Sequence, residues 1–154
     1  MNIRAAQAAD APTLSALAFR SKAAWGYPTH VLETWRSELT ISASTISGQP
    51  TFVATIGDEM AGFYSLSPHD KSWRLDHFWV SPQFMRRGVG GRLLRHALQI
   101  AGRAGAVKLI VDADPHAGPF YLKHGAIRCG ETAAPIPGEP HRVRPQLVLH
   151  AIAI

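Results

Sequence analysis

The most informative segment of the chain is Val80-Ser81-Pro82-Gln83-Phe84-Met85-Arg86-Arg87-Gly88-Val89-Gly90-Gly91. It follows a strand-like run that ends at Val80, and it precedes a run whose apolar residues recur at helical spacing, namely Leu93, Leu94, Ala97, Leu98 and Ala101. A glycine-rich loop therefore leads from a strand into a helix. The first N–H groups of a helix lack intrahelical acceptors, and glycine lets an anion approach them closely. With Arg86, Arg87 and Arg92 nearby, the stretch predicts a site for a diphosphate.

Two familiar nucleotide-binding motifs do not fit this stretch. A P-loop needs Gly-Lys followed by Ser or Thr, and the chain contains neither tripeptide. The dinucleotide pattern Gly-x-Gly-x-x-Gly also fails, because after Gly88 and Gly90 the position of its third glycine is occupied by Leu93. A tight turn with solvated arginines remains the alternative to a diphosphate site, since short glycine patterns are weak evidence by themselves.

Helix and strand signals precede this stretch. Asp10 as N-cap and Pro12 in the first turn predict a first helix, which buries Leu14, Leu17 and Ala18. Thr29 is expected to cap a second helix. Alternating residues then predict three strands that form an antiparallel meander, over residues 51–56, 60–66 and 73–80.

Glycine and proline divide the second half of the chain. The helix after the glycine-rich loop is expected to end at Gly102 or Gly105, and a short helix runs from Pro119 to near His124. Further strands are predicted over residues 107–111 and 146–154. The proline-rich residues 131–145 are expected to form one long loop.

Composition favours one globular domain, residues 1–154. Of its 154 residues 46% are hydrophobic and 18% are charged, which is typical of a compact protein with a real core. The single cysteine, Cys129, cannot form an intramolecular disulfide. No uninterrupted apolar stretch approaches the roughly 20 residues that cross a bilayer, so no membrane partner is expected. Arg4 and Asp10 interrupt a secretion signal, and the sequence therefore predicts a cytoplasmic protein.

The positive charge narrows the class of partner. A formal net charge of +5 indicates an anionic partner. The basic residues are dispersed, and the arginines that do cluster lie at the predicted diphosphate site. No nucleic-acid partner is therefore expected.

Two motifs together resemble the Gcn5-related N-acetyltransferase (GNAT) superfamily. The first is Val80-x-Pro82 with Arg86-Arg87-Gly88-Val89-Gly90, and the second is Asp114-x-x-Ala117 with Phe120-Tyr121-x-Lys123-x-Gly125-Ala126. The resemblance implies an α/β fold of mixed α+β type. Its central sheet would be mixed but largely antiparallel, with about six to seven strands flanked by about four helices.

Three residues depart from the family pattern. Met85 replaces the usual Gln or Arg, which leaves phosphate contacts made by main-chain amides intact. Asp114 replaces the usual Asn, and an ionised carboxylate cannot donate the hydrogen bonds that an amide can. Ala126 stands where Phe is common, a difference of packing.

The resemblance also implies the chemistry. The chain would transfer the acetyl group of acetyl-CoA to a primary amine of a small molecule or peptide by direct attack in a ternary complex. It would require no metal, and a homodimer is compatible with it. A non-catalytic acyl-CoA-binding module is the alternative. The residues expected to contact acetyl-CoA or CoA are Phe78, Trp79, Val80, Met85, Arg86, Arg87, Gly88, Val89, Gly90, Gly91, Asp114, Ala117, Phe120, Tyr121 and Lys123.

Acetyl transfer needs a base for the amine and an acid for the departing thiolate. By resemblance, Tyr121 is the general acid. Strand alternation places Asp76 on the same face as Phe78 and Val80, so Asp76 is the first candidate for the base, acting through water, and His77 is the second. Packing or surface roles remain the alternatives for all three candidates.

The acceptor is expected to meet two segments in this fold. Trp25 and Tyr27 offer aromatic surface, and Arg142 is the residue selected from the segment 135–144 to bind a carboxylate on the amine, with His141 and Arg144 beside it. The hypothesis is therefore a small amine that carries an anionic group, such as an amino acid or short peptide. Solvated arginines and a core-covering Trp25 are the alternative.

Overall fold

The computed structural model describes residues 1–152. Contacts within the chain form two compact units. The first unit comprises Met1–Leu66 and His77–Leu94, and the second comprises Ser67–Asp76 and the chain from Arg95 onward. No helix within residues 1–152 is long and apolar enough to cross a membrane.

Six α-helices and seven strands make up the fold within these residues. They are β1 (Asn2–Ala5), α1 (Ala11–Ala23), α2 (Thr29–Thr34), α3 (Arg36–Leu39), α4 (Ala43–Gly48), β2 (Thr51–Ile56), β3 (Glu59–Ser67), β4 (Ser72–Val80), α5 (Val89–Arg103), β5 (Lys108–Asp112), α6 (Gly118–Lys123), β6 (Ile127–Ala133) and β7 (Val143–His150). The sheet order is β1-β2-β3-β4-β5-β7-β6. The β4–β5 pair is parallel, whereas β1–β2, β2–β3, β5–β7 and β6–β7 are antiparallel, which confirms the predicted mixed sheet.

The first unit is built around α1. Leu14, Leu17 and Ala18 are fully buried, as the helical spacing predicts. Asp10 occupies the N-cap position, but its side chain does not cap α1. The carboxylate accepts the N–H of Gln7 at 2.8 Å and pairs with Arg4 at 2.8 Å. The expected cap was wrong because the carboxylate bonds Gln7 in the preceding 3₁₀ turn and Arg4 instead of an N–H group of α1.

Segment 29–48 has more helices than the sequence predicted. Thr29 is the first residue of α2 rather than its cap, and Trp35 separates α2 from α3. Ser42 caps α4 by accepting the N–H of Thr45 at 3.0 Å. The two helices that the sequence did not predict separately, α3 and α4, each bury a single residue and so carry little periodicity, which is why about four helices were expected and six are found.

Strands β2 and β3 agree with their predicted positions to within one residue at each end. Strand β2 covers residues 51–56, as expected. A tight turn with Gly57 at φ +61° connects it to β3. Strand β1, which the sequence analysis missed, pairs antiparallel with β2. Four residues are too few to show a reliable alternation.

The second unit contains the parallel step of the sheet. Residues 72–74 of β4 pair with residues 108–110 of β5, and β5 pairs with β7 along its whole length. The predicted loop 131–145 is shorter than expected, because β6 extends to Ala133 and β7 begins at Val143. Pro145 lies within β7 opposite Glu131. The final strand ends at His150, and the last two residues of the predicted strand lie outside the described residues.

Candidate functional site

The end of β4 lies very close to β3 in the first unit. Ser81 donates its N–H to the carbonyl of Ala61 at 2.8 Å. A Cβ on Gly62 would stand 2.7 Å from the Trp79 carbonyl oxygen and 3.4 Å from the Cα of Val80. Glycine at position 62 is therefore required by contact with the main chain of the strand that precedes the predicted diphosphate site.

A short 3₁₀ turn over Pro82–Phe84 connects β4 to the glycine-rich loop. Phe84 is buried, and the guanidinium of Arg87 lies 5.2 Å from the centre of its ring. Arg86 and Gly88 both have positive φ, at +59° and +81°. The left-handed residue at each position turns the chain sharply before α5 begins.

Helix α5 starts at Val89, whose buried side chain anchors it. Its first turn is closed by a hydrogen bond from the N–H of Arg92 to the carbonyl of Gly88 at 3.3 Å. The N–H groups of residues 89–91 stand at the helix start, where the helix itself supplies no acceptors. Arg86, Arg87 and Arg92 are exposed around them, and Met85 is half-buried. Main-chain donors, the positive end of a helix dipole and three exposed cationic residues thus occur within one short segment of the chain.

Side chains along β4 alternate between its two faces. Arg74 and Asp76 are exposed, whereas Trp73 and Leu75 are buried. The Asp76 carboxylate accepts a hydrogen bond from the Ser67 hydroxyl. Phe78 and Val80 are half-buried farther along. Asp76 is thus a solvent-accessible carboxylate, which suits exchange of protons with water.

His77 lies in a more constrained environment than Asp76. The indole N–H of Trp79 donates to Nδ1 of His77 at 3.2 Å, and the imidazole stacks on Phe63 with ring centres 6.2 Å apart. An Nδ1 that accepts this bond carries no proton, so the neutral ring is protonated at Nε2. Trp79 itself packs against the apolar cluster around α1.

In the second unit, Asp114 organises the turn before α6. Its Oδ1 accepts the N–H of His116 at 2.8 Å, and its carbonyl accepts those of Ala117 and Gly118 at 2.9 and 3.1 Å. Its Oδ2 pairs with Nη2 of Arg142 at 3.3 Å. Asp114 thus accepts hydrogen bonds throughout, which an ionised carboxylate can do and which needs no amide donor.

Tyr121 lies in α6 and is only 5% exposed. Phe120 meets its ring edge-on, with centres 5.2 Å apart. Burial raises the pKa of the Tyr121 phenol well above its usual value near 10. The hydroxyl is therefore fully protonated near neutral pH. Ala117 is half-buried at the start of the helix, and Lys123 is exposed at its end.

The residues expected to meet the acceptor have different environments. Trp25 is 37% exposed, whereas Tyr27 is 7% exposed and packs edge-on against Trp35. The Lys22 ammonium lies over both rings, 5.3 Å from the centre of Tyr27 and 4.5 Å from that of Trp35. Tyr27 thus belongs to a buried cation–π cluster, and Trp25 is the aromatic side chain that faces solvent.

Arg142 differs most from its expected role. Its side chain is 4% exposed, and it bonds Asp114 and the Ala134 carbonyl instead of reaching solvent. His141, its neighbour in that segment, is exposed, while Arg144 is partly exposed and pairs with Asp112 at 3.2 Å. Direct contact between Arg142 and an acceptor does not fit this placement, because a buried arginine already paired with a carboxylate presents no free cation.

Three features escaped the sequence analysis: the close approach at Gly62, the cluster around Lys22 and the pairing of Asp114 with Arg142. A glycine inside an otherwise apolar strand is a known signal of close main-chain approach, so Gly62 could have been found. The other two join residues through tertiary contacts, and one sequence contains no signal that pairs them.

Comparison with known proteins agrees with this geometry. The model of the acetyltransferase (GNAT) domain family matches residues 10–134. The chain belongs to the GNAT acetyltransferase family. Among curated proteins it is similar to the uncharacterized N-acetyltransferase YedL of Escherichia coli K12, with 34% identity over 91 residues. That match covers 55% of this chain and 57% of YedL, so it spans little more than half of the relative.

Solved structures of the GNAT fold cover nearly the whole chain. A GCN5-related N-acetyltransferase from Rhodopseudomonas palustris is 26% identical with a TM-score of 0.78, over 97% of this chain and 94% of that one. The PaiA N-acetyltransferase of Thermoplasma acidophilum, solved in complex with coenzyme A, has 18% identity and a TM-score of 0.72, over 97% and 98%. The second likeness is one of fold alone.

Proposed function

We propose that this GNAT chain transfers the acetyl group of acetyl-CoA to a primary amine of a small molecule or peptide by direct attack. The start of α5 carries the proposal, because main-chain N–H groups and the exposed Arg86, Arg87 and Arg92 meet there. The family match supports the activity in general. The coenzyme A bound to the PaiA enzyme of the same fold supports the choice of cofactor.

The diphosphate of CoA is proposed to bind against residues 86–91. The left-handed turn at Arg86 and Gly88 directs the following N–H groups along the axis of α5. Arginine side chains that are exposed at this turn add charge-assisted hydrogen bonds to phosphate oxygens. Met85 in place of a polar residue does not weaken this arrangement, since the donors are main-chain groups.

The reaction moves one acyl group and one proton. The amine nitrogen forms a bond to the thioester carbonyl carbon, the bond from that carbon to sulfur breaks, the amine loses a proton and the sulfur gains one. Asp76 is proposed to accept the amine proton through water, since its carboxylate is exposed. His77 is the weaker candidate, because its Nδ1 already accepts the indole N–H of Trp79.

Tyr121 is proposed to give a proton to the sulfur. The raised pKa keeps the phenol protonated, so the donor is present at every pH at which the enzyme would work. It also makes proton donation less favourable than from a phenol with a pKa near 10. Positioning of the hydroxyl beside the sulfur must therefore contribute much of the benefit.

The acceptor is proposed to be an amine that also carries an anionic group. Trp25 supplies a flat apolar surface, as a solvent-facing indole does. His141 and the partly exposed Arg144 are proposed to meet the anionic group in place of the buried Arg142. The discriminating comparison is an amino acid against the amine left after removal of its carboxylate. Equal KM values for the two would contradict the anion contact.

Calorimetry with CoA and a screen of acetyl-CoA consumption over a panel of amines test the proposal together. Binding of CoA with turnover of at least one amine is expected. Binding without turnover of any amine would favour a non-catalytic acyl-CoA-binding module. Absence of CoA binding to the folded protein would contradict both functions.

Substitution separates the two candidate bases. Asp76→Asn keeps the size of the side chain and removes its basicity, so we expect kcat/KM to fall about tenfold or more. His77→Gln retains an acceptor for the indole N–H of Trp79 and should change kcat/KM less than threefold, within about 0.7 kcal/mol. The reverse order of the two effects would transfer the role of base to His77.

A further inference from the structure

A buried ion pair in the second unit has no part in the proposed chemistry. Nη2 of Arg142 lies 3.3 Å from Oδ2 of Asp114, and the two side chains are only 4% and 6% exposed. Burial of two charges is costly, so such pairs contribute little to stability compared with apolar residues of the same size. Loss of one partner is far more damaging, since it leaves a buried charge uncompensated.

Each partner holds a different segment of the main chain. Arg142 donates from Nη1 to the Ala134 carbonyl at 3.0 Å, and Ala134 donates its N–H to the Arg142 carbonyl at 3.0 Å. These bonds close the loop between β6 and β7. Asp114 fixes the turn before α6 through its bonds to His116 and the next two residues. The ion pair therefore ties the closed loop to the start of α6.

The turn held by Asp114 leads directly to Tyr121. The N–H of Ala117 bonds the Asp114 carbonyl at 2.9 Å, and the Ala117 carbonyl in turn accepts the N–H of Tyr121 at 3.4 Å. One more hydrogen bond, from Gly118 to the Asp114 carbonyl at 3.1 Å, fixes the first residue of α6. A short helix of six residues has little stability of its own, so the hydrogen bonds at its start contribute, with burial of the ring, to holding Tyr121 where it lies.

We propose that Arg142 is a positioning residue that holds Tyr121 in place through Asp114. This inference rests on the proposed function, because it takes Tyr121 as the proton donor. It also gives a reason for Asp114 where the family usually has Asn: the carboxylate is the charge partner of Arg142.

A double-mutant cycle tests the positioning role. Arg142→Gln should lower kcat about 10- to 100-fold and leave the KM for acetyl-CoA within about threefold, since a small displacement of a reacting group has effects of this size. In a Tyr121→Phe background the same substitution should lower kcat less than twofold, because the hydroxyl that it displaces is gone. Equal losses of kcat in the two backgrounds would overturn the inference.

Fluorine NMR provides a measurement that does not depend on turnover. The chain has three tyrosines, so 3-fluorotyrosine labelling gives three resonances, and Tyr121→Phe assigns the relevant one. Arg142→Gln should shift or broaden the Tyr121 resonance. The control Arg128→Gln removes an exposed ion pair with Glu131 on β6 and should leave both that resonance and kcat unchanged.

Arg142→Lys can replace Arg142→Gln if the latter does not fold. Arg142→Lys keeps the charge but loses the planar fork whose Nη1 and Nη2 bond the Ala134 carbonyl and Asp114 separately, so the same fall in kcat is expected. An unmoved Tyr121 resonance in either variant would overturn the positioning role. A wild-type kcat in Tyr121→Phe would instead show that Tyr121 is not the general acid, which is a failure of the proposed function. Failure of the positioning role of Arg142 and failure of the proposed acid therefore give different results.

Discussion

The turns before α5 and α6 begin helices in electrically opposite ways. Before α5, a glycine and an arginine with left-handed backbone precede the first N–H groups of the helix, which have no acceptors within the helix, and Arg86, Arg87 and Arg92 are exposed there. Before α6, a carboxylate fills the turn, and a buried arginine neutralises it. The turn before α5 is suited to binding an anion from outside the protein, whereas the turn before α6 already contains the Asp114 carboxylate as its anion. The turn before α5 is therefore a candidate binding surface, and the turn before α6 stabilises the helix that follows it.

Tyr121→Phe should give the largest change, since it tests whether the supported turn positions a reacting group. We expect kcat to fall about 100-fold or more, with little change in the KM for acetyl-CoA, because the variant keeps the ring and loses the proton donor. Steady-state kinetics provide the measurement. Tyr64→Phe removes another buried phenol and serves as the matched control, which should retain the wild-type kcat. A wild-type kcat in Tyr121→Phe would leave proximity as the whole account of catalysis.

Gly90→Val tests the open turn. A branched side chain at the start of α5 would stand where a phosphate is proposed to approach the main chain, so we expect the Kd for CoA to rise about 100-fold, or about 2.7 kcal/mol. Calorimetry measures this change. Gly48→Val is the control, because a Cβ at that position would meet no heavy atom within 4 Å. An unchanged Kd in folded Gly90→Val would leave the arginines as a solvated surface.

Gly62→Ala tests the strand that supports the open turn. Its new methyl group would stand 2.7 Å from the Trp79 carbonyl oxygen, so the main chain must move. We expect the free energy of unfolding to fall by about 1–3 kcal/mol, the usual effect of overpacking. Urea unfolding measures it. Gly130→Ala, where the closest atom would lie at 3.5 Å, should change it less.

Asp10→Asn should give the smallest change in the free energy of unfolding. It tests the Arg4–Asp10 ion pair, which is more accessible to solvent than the buried pair of Arg142 and Asp114. Hydrogen bonding from Arg4 lowers the pKa of Asp10, so the pair stabilises the fold above the unfolded-state pKa and loses this effect as pH falls through the lower folded-state pKa. We expect a loss of about 0.5 kcal/mol at pH 7, discounted for solvent screening, and none near about pH 2. Thermal unfolding at both pH values measures it. A loss that persists in acid would indicate a packing effect.

Elements with long or distinctive patterns were predicted closely. Strand β2 lies at its predicted residues, α5 follows the glycine-rich loop, and a short helix begins near Pro119. Strand β1 was missed because it has only four residues, and helix α4 because it buries one side chain, Ile46, and so shows no repeating apolar pattern. The expected long loop 131–145 was shortened by two strands, since pairing with neighbours overrode its prolines.

The family, the glycine-rich start of α5 and the placement of Tyr121 on a short helix could all be predicted from the sequence, because each depends on residues that are neighbours in the chain. The surroundings of Arg142 and Tyr27 depend on contacts between distant parts of the chain. The fold brings Nη2 of Arg142 within 3.3 Å of Oδ2 of Asp114, although 27 residues separate the two in the sequence. It also places the Lys22 ammonium over the ring of Tyr27. Burial and charge pairing arise only when distant segments meet, so the pattern of neighbouring residues along the chain does not reveal them.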